Sequence, residues 1–415
     1  MRTKSLHLLG RLAALGAVAV ATTWANDAAA ATECGSLQHP LVVVGSSAVK
    51  PFMTLLGPAL AAQSSPISLI YQSPGSCAGQ DAYFGAGTTT GTGLTVYDAQ
   101  GTSGLTCDIT AAEGLAIDIA ISDVFDATCP NSEAPSGVKD FHGPVQSMVF
   151  AVSKASSRQL ISYEAAYLTF GLGADGGTYW NDVADIFVRD QNSGTQQMIA
   201  KAIDVPAARF QGTSGNGTAI QTGLGNAASN QELADGTIGI LGMDVVRKPS
   251  VGAVGDYVPL AYQHLGQTAA YYPSSDFASN DMQNTRDGHY AIQGPVHMFT
   301  KVNGSGVPTK ADAKTFIDYM TGAVIPSSFD LVKLEASISI VPDCAMRVTR
   351  DAEIGAFMSY MPDVSCECKF LFEVGADVPA ECGSCDAANN DDHGVNTQEC
   401  PKSRQHCNYG FCEVQ

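Results

Sequence analysis

Four stretches of the chain place hydroxyl groups, glycines or an acid directly after an apolar run. LVVV (41–44) runs into Gly45-Ser46-Ser47, and ISLIYQ (67–72) into Ser73-Pro74-Gly75-Ser76. LAIDIAIS (115–122) ends on Asp123, and ADIFVR (184–189) runs into DQNSGT (190–195). Two of these turns lead into amphipathic stretches, AVKPFMTLLGPALAAQ and QQMIAKAI. A hydroxyl beside unpaired backbone N–H groups at a helix N-terminus is chemistry for holding an anion, because the helix dipole is positive there. Arg189 adds one full positive charge on a planar fork suited to an oxyanion. Asp123 is the one acceptor in the set. Taken singly, such a Ser or Thr is commonly an N-cap, and an Arg at a strand end commonly an ion-pair partner. As an ordered set they describe an oxyanion cradle.

Such a cradle needs elements to position it. From about residue 38 to 362, short apolar runs alternate with helical stretches, the rhythm of an α/β sheet. In open α/β sheets ligands bind beyond the carboxyl ends of the strands, where these four turns would converge. FIDYMTGAVI and EIGAFMSYM are expected to be helices, their Met and aromatic residues facing the core.

Composition narrows the partners. The chain has 415 residues, 45% hydrophobic and 15% charged, with 42 Gly and a net charge of −19. That length suggests two or three domains by the usual ~150 residues per domain. The acidity argues against a phosphate-neutralising nucleic-acid surface. Residues 1–31 read as a signal peptide: Arg2, Lys4 and Arg11 precede an apolar run from Leu12 to Ala21, and Ala28–Ala31 suits cleavage. Removing them deletes three positive charges and Asp27, leaving −21. Cys34 lacks the flanking residues of a lipid-attachment site, so a periplasmic, secreted or cell-surface protein is expected.

All 12 cysteines follow residue 31, an even count that in an exported chain reads as disulfides. Four lie in the first third, none between 130 and 343, and seven crowd residues 366–412 after Cys344. That shift marks a boundary near 363 and a small stapled module at 363–415. Zinc held by tail cysteines with His393 and His406 is the alternative, and a calcium loop in NNDDHGVNTQEC a weaker one, with Cys400 where a bidentate Glu should stand.

The ordered motifs resemble the periplasmic phosphate-binding proteins of ABC transporters, over roughly residues 40–362. VVVGSSAVKPF is similar to the family's first strand and phosphate loop, YQSPGSCAG to its second loop, and IAISDVF to its Ser-Asp segment. VRDQNSGTQQ carries the most specific match, an Arg followed four residues later by Ser-Gly-Thr. LTFG…W (168–180), DGTIGILG (235–242) and RDGHYAIQGPVHMFT (286–300) support it, the last resembling the return crossing to the first lobe. The resemblance implies a two-lobed type II binding-protein fold with a hinge: lobe I from 38–125 and 290–362, lobe II from 126–289. It implies phosphate ligands at Ser47, Ala48, Ser76, Asp123, Arg189, Ser193, Gly194 and Thr195, the hydroxyls, the Arg189 fork and the Ala48 and Gly194 N–H groups donating. Asp123 would accept the phosphate's own proton and thereby reject sulfate.

Two departures stand out. Where the family commonly has an acid two positions after the Arg, this chain has Gln191, with Asp190 as a substitute. Between Ser76 and Asp123 lie 46 residues, more than the family usually carries. The excess, GAGTTTGTGLTVYDAQGTSGL, reads as a Gly/Thr-rich hairpin (about 80–110) that Cys77 and Cys107 could close and that could shape or lid the site.

The expected function is therefore capture of inorganic phosphate, without catalysis or cofactor, by a monomer that delivers it to an ABC permease. The alternative is a surface adhesion protein that reuses the fold, with the cysteine-rich tail as its attachment module. The sequence places no Ser–His–Asp arrangement, and His289 and His297 are expected to be structural.

Overall fold

A computed structural model describes residues 32–97, 105–130, 132–247, 257–391 and 395–414. Residues 1–31, expected to be a signal peptide, residues 98–104 of the expected hairpin, and His393 lie outside the described residues. The strands that frame the site are β1 Pro40–Gly45, β2 Ser68–Gln72, β3 Gly91–Tyr97, β4 Thr106–Ile109, β5 Ile119–Ser122, β6 Val138–Ser153, β7 Ile186–Val188, β8 Ile238–Gly242 and β9 Gln293–Lys301. The helices are α1 Lys50–Ala61, α2 Ser76–Phe84, α3 Gly194–Ala202, α4 Gly217–Asn226, α5 Met243–Arg247, α6 Ala311–Met320, α7 Leu331–Ala336 and α8 Glu367–Glu373.

The strands join one mixed sheet in the order Thr32–Glu33, β4, β3, β2, β1, β5, β9, β6, β8, β7, Thr213–Ser214, with Tyr257–Pro259 added on β6. β1 is parallel to β2 and β5, and β7 is parallel to β8. Between these two halves run β6 and β9, antiparallel to each other. The 16-residue β6 pairs with β9 along its first part and with β8 along its second. Its first five residues are partly exposed and the remaining eleven are buried, so one strand passes from a sheet edge environment into a core.

The LVVV run is continuous because β1 is covered on both faces. Leu41 and Val43 pack with Phe52, Leu56 and Phe316, while Val42 and Val44 face Ile70, Val96 and Phe299. Pro51 opens the first turn of α1, where its missing N–H costs nothing, and Phe52, Met53, Leu56 and Leu60 form the buried stripe. Burying each of those side chains contributes about 1.5–3 kcal/mol.

Two expectations need correction. EIGAFMSYM forms no helix: Ile354 has a left-handed φ of 55°, and Met358–Ser359 pairs with Val348–Thr349 instead. A β-branched residue in that region breaks a helical path. The hairpin does form, β3 against β4, but Cys77 and Cys107 do not close it. Cys107 lies opposite Thr32 in the edge pairing and bonds Cys34, while α2 packs over β5 and brings Cys77 to Cys129. The hairpin widens the sheet beside β2, and at its end the Tyr97 hydroxyl lies 3.2 Å from Thr54 Oγ1.

In the tail, Cys368–Cys382, Cys385–Cys407 and Cys400–Cys412 staple a hairpin of His406–Asn408 with Phe411–Glu413, and Cys344–Cys366 ties it to the preceding chain. No cysteine is free, so thiolate zinc ligation in the tail is set aside. Glu367 pairs with Arg286, Arg347 and Arg404, and Lys369 with Asp330 at 2.6 Å. Among the described residues no helix is long and apolar enough to cross a membrane.

Candidate functional site

The four turns converge between the two halves of the sheet. β1 turns at Gly45, where φ is 149° and a Cβ would sit 1.9 Å from the Ile121 carbonyl oxygen, so only glycine lets β1 and β5 close up here. Ser46 follows, fully buried, and its hydroxyl donates to Asp123 Oδ1 at 2.6 Å. The Ser46 hydroxyl oxygen in turn accepts from the Ala48 and Val49 N–H groups at 3.0 and 3.2 Å, starting α1. Tyr71 from β2 holds the Ser46 carbonyl through its hydroxyl.

On the other side of Asp123, the Ser76 hydroxyl donates to Oδ2 at 3.0 Å and accepts from the Asp123 N–H at 3.2 Å. Asp123 is therefore an acceptor at both carboxylate oxygens. Burial pushes its pKa up, opposed by the Ser46 and Ser76 hydrogen bonds and by the charges of Arg189 and His297. Neither Ser76 nor Asp123 acts as a helix N-cap: Gly75 caps α2, and the turn after Asp123 starts from Phe125.

Arg189 leaves β7 at its carboxyl end and is 6% exposed. Its Nη2 donates to Ser47 Oγ at 2.7 Å, joining a loop of one half to a loop of the other across 142 positions. Its Nε is buried without a partner, and among the described residues no carboxylate lies within ion-pair reach of it. Burial lowers its pKa, and the charges of Asp190, Asp123 and Asp244 oppose that fall. Asp190 thus helps through its field, while its carboxylate caps the turn by accepting from Asn192 N–H at 2.9 Å.

Ser193, Gly194 and Thr195 form the first turn of α3. Ser193 is its N-cap residue yet makes no side-chain capping bond, and Thr195 Oγ1 is buried without a partner. Gly194 lies against Asp123: a Cβ there would be 2.3 Å from Ser76 Oγ and 2.4 Å from Asp123 Oδ2. The positive end of α3 therefore abuts the carboxylate.

The eight expected residues thus fall into two groups. Ser76, Asp123, Ser193, Gly194 and Thr195 are a buried, close-packed cluster. Ser47, Ala48 and Arg189 line a cleft of about 480 Å³, together with Gly217, Gln221 and Val245. The Ala48 N–H, expected as a ligand donor, is taken by Ser46.

Two residues escaped the sequence reading. Ser46 engages Asp123 through its hydroxyl, while Ser47 accepts from Arg189. Asp244 is the second residue of α5, just after β8; Gln146 Nε2 donates to its Oδ1 at 2.9 Å and to the Ala48 carbonyl at 3.2 Å. Asp244 Oδ2 is buried with no partner, and burial raises its pKa to about 7. The signal was available: β8 also ends at the site, and the strand-end rule points at the residues after Gly242.

No family model and no curated protein matches the chain. Solved structures do align with it. A phosphate ABC transporter substrate-binding protein with bound phosphate from Clostridium perfringens is 12% identical, with a TM-score of 0.46, over 73% of this chain and 98% of that one. An ABC-type phosphate transport receptor from Vibrio cholerae is 14% identical, also at 0.46, over 73% and 99%. A phosphate binding protein from Stenotrophomonas maltophilia is 15% identical at 0.40, over 73% and 90%.

Proposed function

We propose that the protein captures inorganic phosphate, or an oxyanion of the same shape, between two lobes and hands it to an ABC-type permease outside the cytoplasm. The observation that carries this reading is Arg189: a nearly buried guanidinium with a free Nε, reaching from the end of β7 to Ser47 after β1, at the head of a cleft. A buried cation with no ion-pair partner is costly, and an anion supplies what it lacks.

The lobes are residues 38–125 with 290–362, and 126–289, with β6 and β9 as the crossings about which the cleft opens and closes. Ser47 and Arg189 meet the ligand at the cleft. On opening, Gly194 withdraws from Asp123 and exposes the hydroxyls of Ser76, Ser193 and Thr195, the Gly194 N–H and, after rotation of Ser46, the Ala48 N–H. Asp123, already an acceptor, receives the proton of a protonated phosphate. Sulfate offers no proton and leaves the buried carboxylate facing an unprotonated oxygen. Micromolar affinity corresponds to about −8.2 kcal/mol, within reach of one arginine and several hydrogen bonds in a closed cleft.

The six disulfides and the absence of a membrane-crossing helix among the described residues agree with an extracytoplasmic setting. Isothermal titration with phosphate, sulfate and arsenate tests the reading. One phosphate per chain at micromolar affinity, with sulfate at least about tenfold weaker, is expected. Absence of phosphate binding overturns it, and equal sulfate binding removes the role given to Asp123.

A further inference from the structure

Away from the cleft, the crossing strands carry a second cluster of chemically capable side chains. Asp140 and His142 point from β6 and His297 from β9, with His142 and His297 directly paired in register. The β6–β9 register shifts between Pro295 and His297, beside this pair, as at a β-bulge. His297 Nδ1 is 2.7 Å from Asp140 Oδ2, and His142 Nε2 is 3.3 Å from the same oxygen. One ligand atom from each of the three lies within 4.8 Å of the others.

We infer that Asp140, His142 and His297 form a binding site for one divalent transition-metal ion of the zinc class. Two imidazoles and a carboxylate are borderline ligands of the kind zinc takes, and three protein ligands leave a fourth tetrahedral position for water. Zinc bonds of about 2.0–2.2 Å put neighbouring ligand atoms about 3.3–3.5 Å apart. The His142–Asp140 separation already meets that spacing, and His297 and Asp140 need to part by about half an ångström.

A hydrogen-bonded triad without an ion leaves one carboxylate oxygen of the cluster unexplained. Asp140 Oδ1 is buried with no partner, although such groups are rarely left unpaired. The free Oδ1 gives the carboxylate a second oxygen to present to an ion. Phe125 covers one side, its ring centroid 4.3 Å from that of His297 and 5.7 Å from that of His142. The His142 side chain is 41% exposed and gives an ion its way in. No thiolate competes, since every cysteine is in a disulfide.

The position ties the site to the body's architecture. His297 pairs with Ser122 of β5, the residue before Asp123, and β6 and β9 are the strands shared by both halves of the sheet. An ion there clips the two crossing strands beside the bulge. The inference stands independently of the phosphate reading, because it is read from metal binding alone.

The intact protein, stripped with a chelator, is titrated with Zn²⁺ by calorimetry and with Co²⁺ by visible absorption. One ion per chain at micromolar affinity and a tetrahedral Co²⁺ band are expected. Because His297 is fully buried and its loss endangers the fold, the tests are His142→Ala, at an exposed position, and Asp140→Asn. Each should weaken Zn²⁺ by at least about tenfold, the scale on which loss of even an outer-shell partner acts, and His142→Ala should abolish the cobalt band. No stoichiometric zinc, or zinc held equally well by His142→Ala, overturns the site. The second outcome would move the ion elsewhere, as to the exposed His289–Asp287 pair.

Discussion

The sheet-bearing body and the cysteine-rich tail reach order by different routes. In the body, Phe52, Leu56 and Phe316 cover one face of β1 and β2, and Val96 and Phe299 the other. In the tail, Cys366 and Phe370 join the body's core, but beyond them the packed centre is Cys400, Cys407 and Cys412 themselves, with Cys385 beside them, and the only strands there among the described residues are three residues long. A region with large apolar layers holds strand ends in fixed geometry, so Ser46, Asp123, Arg189 and Gly194 can be buried there as polar or tightly packed positions. A region held by covalent links lacks that apolar reserve. The comparison predicts that anion chemistry depends on the body and is indifferent to the tail's staples.

The largest effect that would sharpen this contrast is at the bridge inside the body. Cys77→Ser with Cys129→Ser opens a link spanning 52 positions and should cost about 4 kcal/mol in denaturant unfolding. Phosphate affinity should fall with it, since Ser76 adjoins Cys77. Cys385→Ser with Cys407→Ser, spanning 22 positions, should cost about 3 kcal/mol, read as lost hydrogen-exchange protection in the tail. Phosphate affinity should stay unchanged; a matching fall would break the separation.

Gly194→Ala drives a methyl group into Ser76 and Asp123 and should cost about 1–3 kcal/mol, with weakened phosphate binding. Binding unaffected by it would show that α3 does not close on the ligand.

The smallest effect, taken per pH unit, is titration, and each region carries a reporter. Burial raises the Asp244 carboxyl in the body and the Glu413 carboxyl in the tail to about 7. Between their unfolded values near 4 and about 7, the folded protein holds protons that the unfolded chain has released. Stability from each group is thus present at low pH and falls as pH rises through that window, by about 1.4 kcal/mol per unit at most. Thermal midpoints from pH 4.5 to 7.5 should flatten in part in Asp244→Asn and, separately, in Glu413→Gln. An unchanged slope in Asp244→Asn would remove the buried charge from beside the cleft.

How much of this was legible follows from which forces act locally. LVVV, ISLIYQ and IAIS became β1, β2 and β5 because runs buried on two faces advertise themselves. The meeting of Arg189 with Ser47 was reachable because both stand at strand ends, where α/β topology collects them. The contact of Ser46 with Asp123 was missed because nothing in the Ser-Ser pair marks which hydroxyl turns inward before the loop is folded. The pairings of Cys77 and Cys107 were chosen by sheet order, which brings Cys34 and Cys129 closer than the hairpin does. The EIGAFMSYM segment kept a helical pattern and lost the helix to a left-handed Ile354 and to a strand partner far from it in pattern.

The central claim is that one arginine, presented between the halves, holds the anion. Equilibrium dialysis of phosphate against the intact protein and Arg189→Ala, with thermal midpoints measured on both, tests it most directly. The account predicts at least about a hundredfold loss of affinity, the scale of a charge-assisted contact removed from a buried site, with the midpoint nearly unchanged. Equal phosphate affinity in the folded Arg189→Ala protein would contradict it.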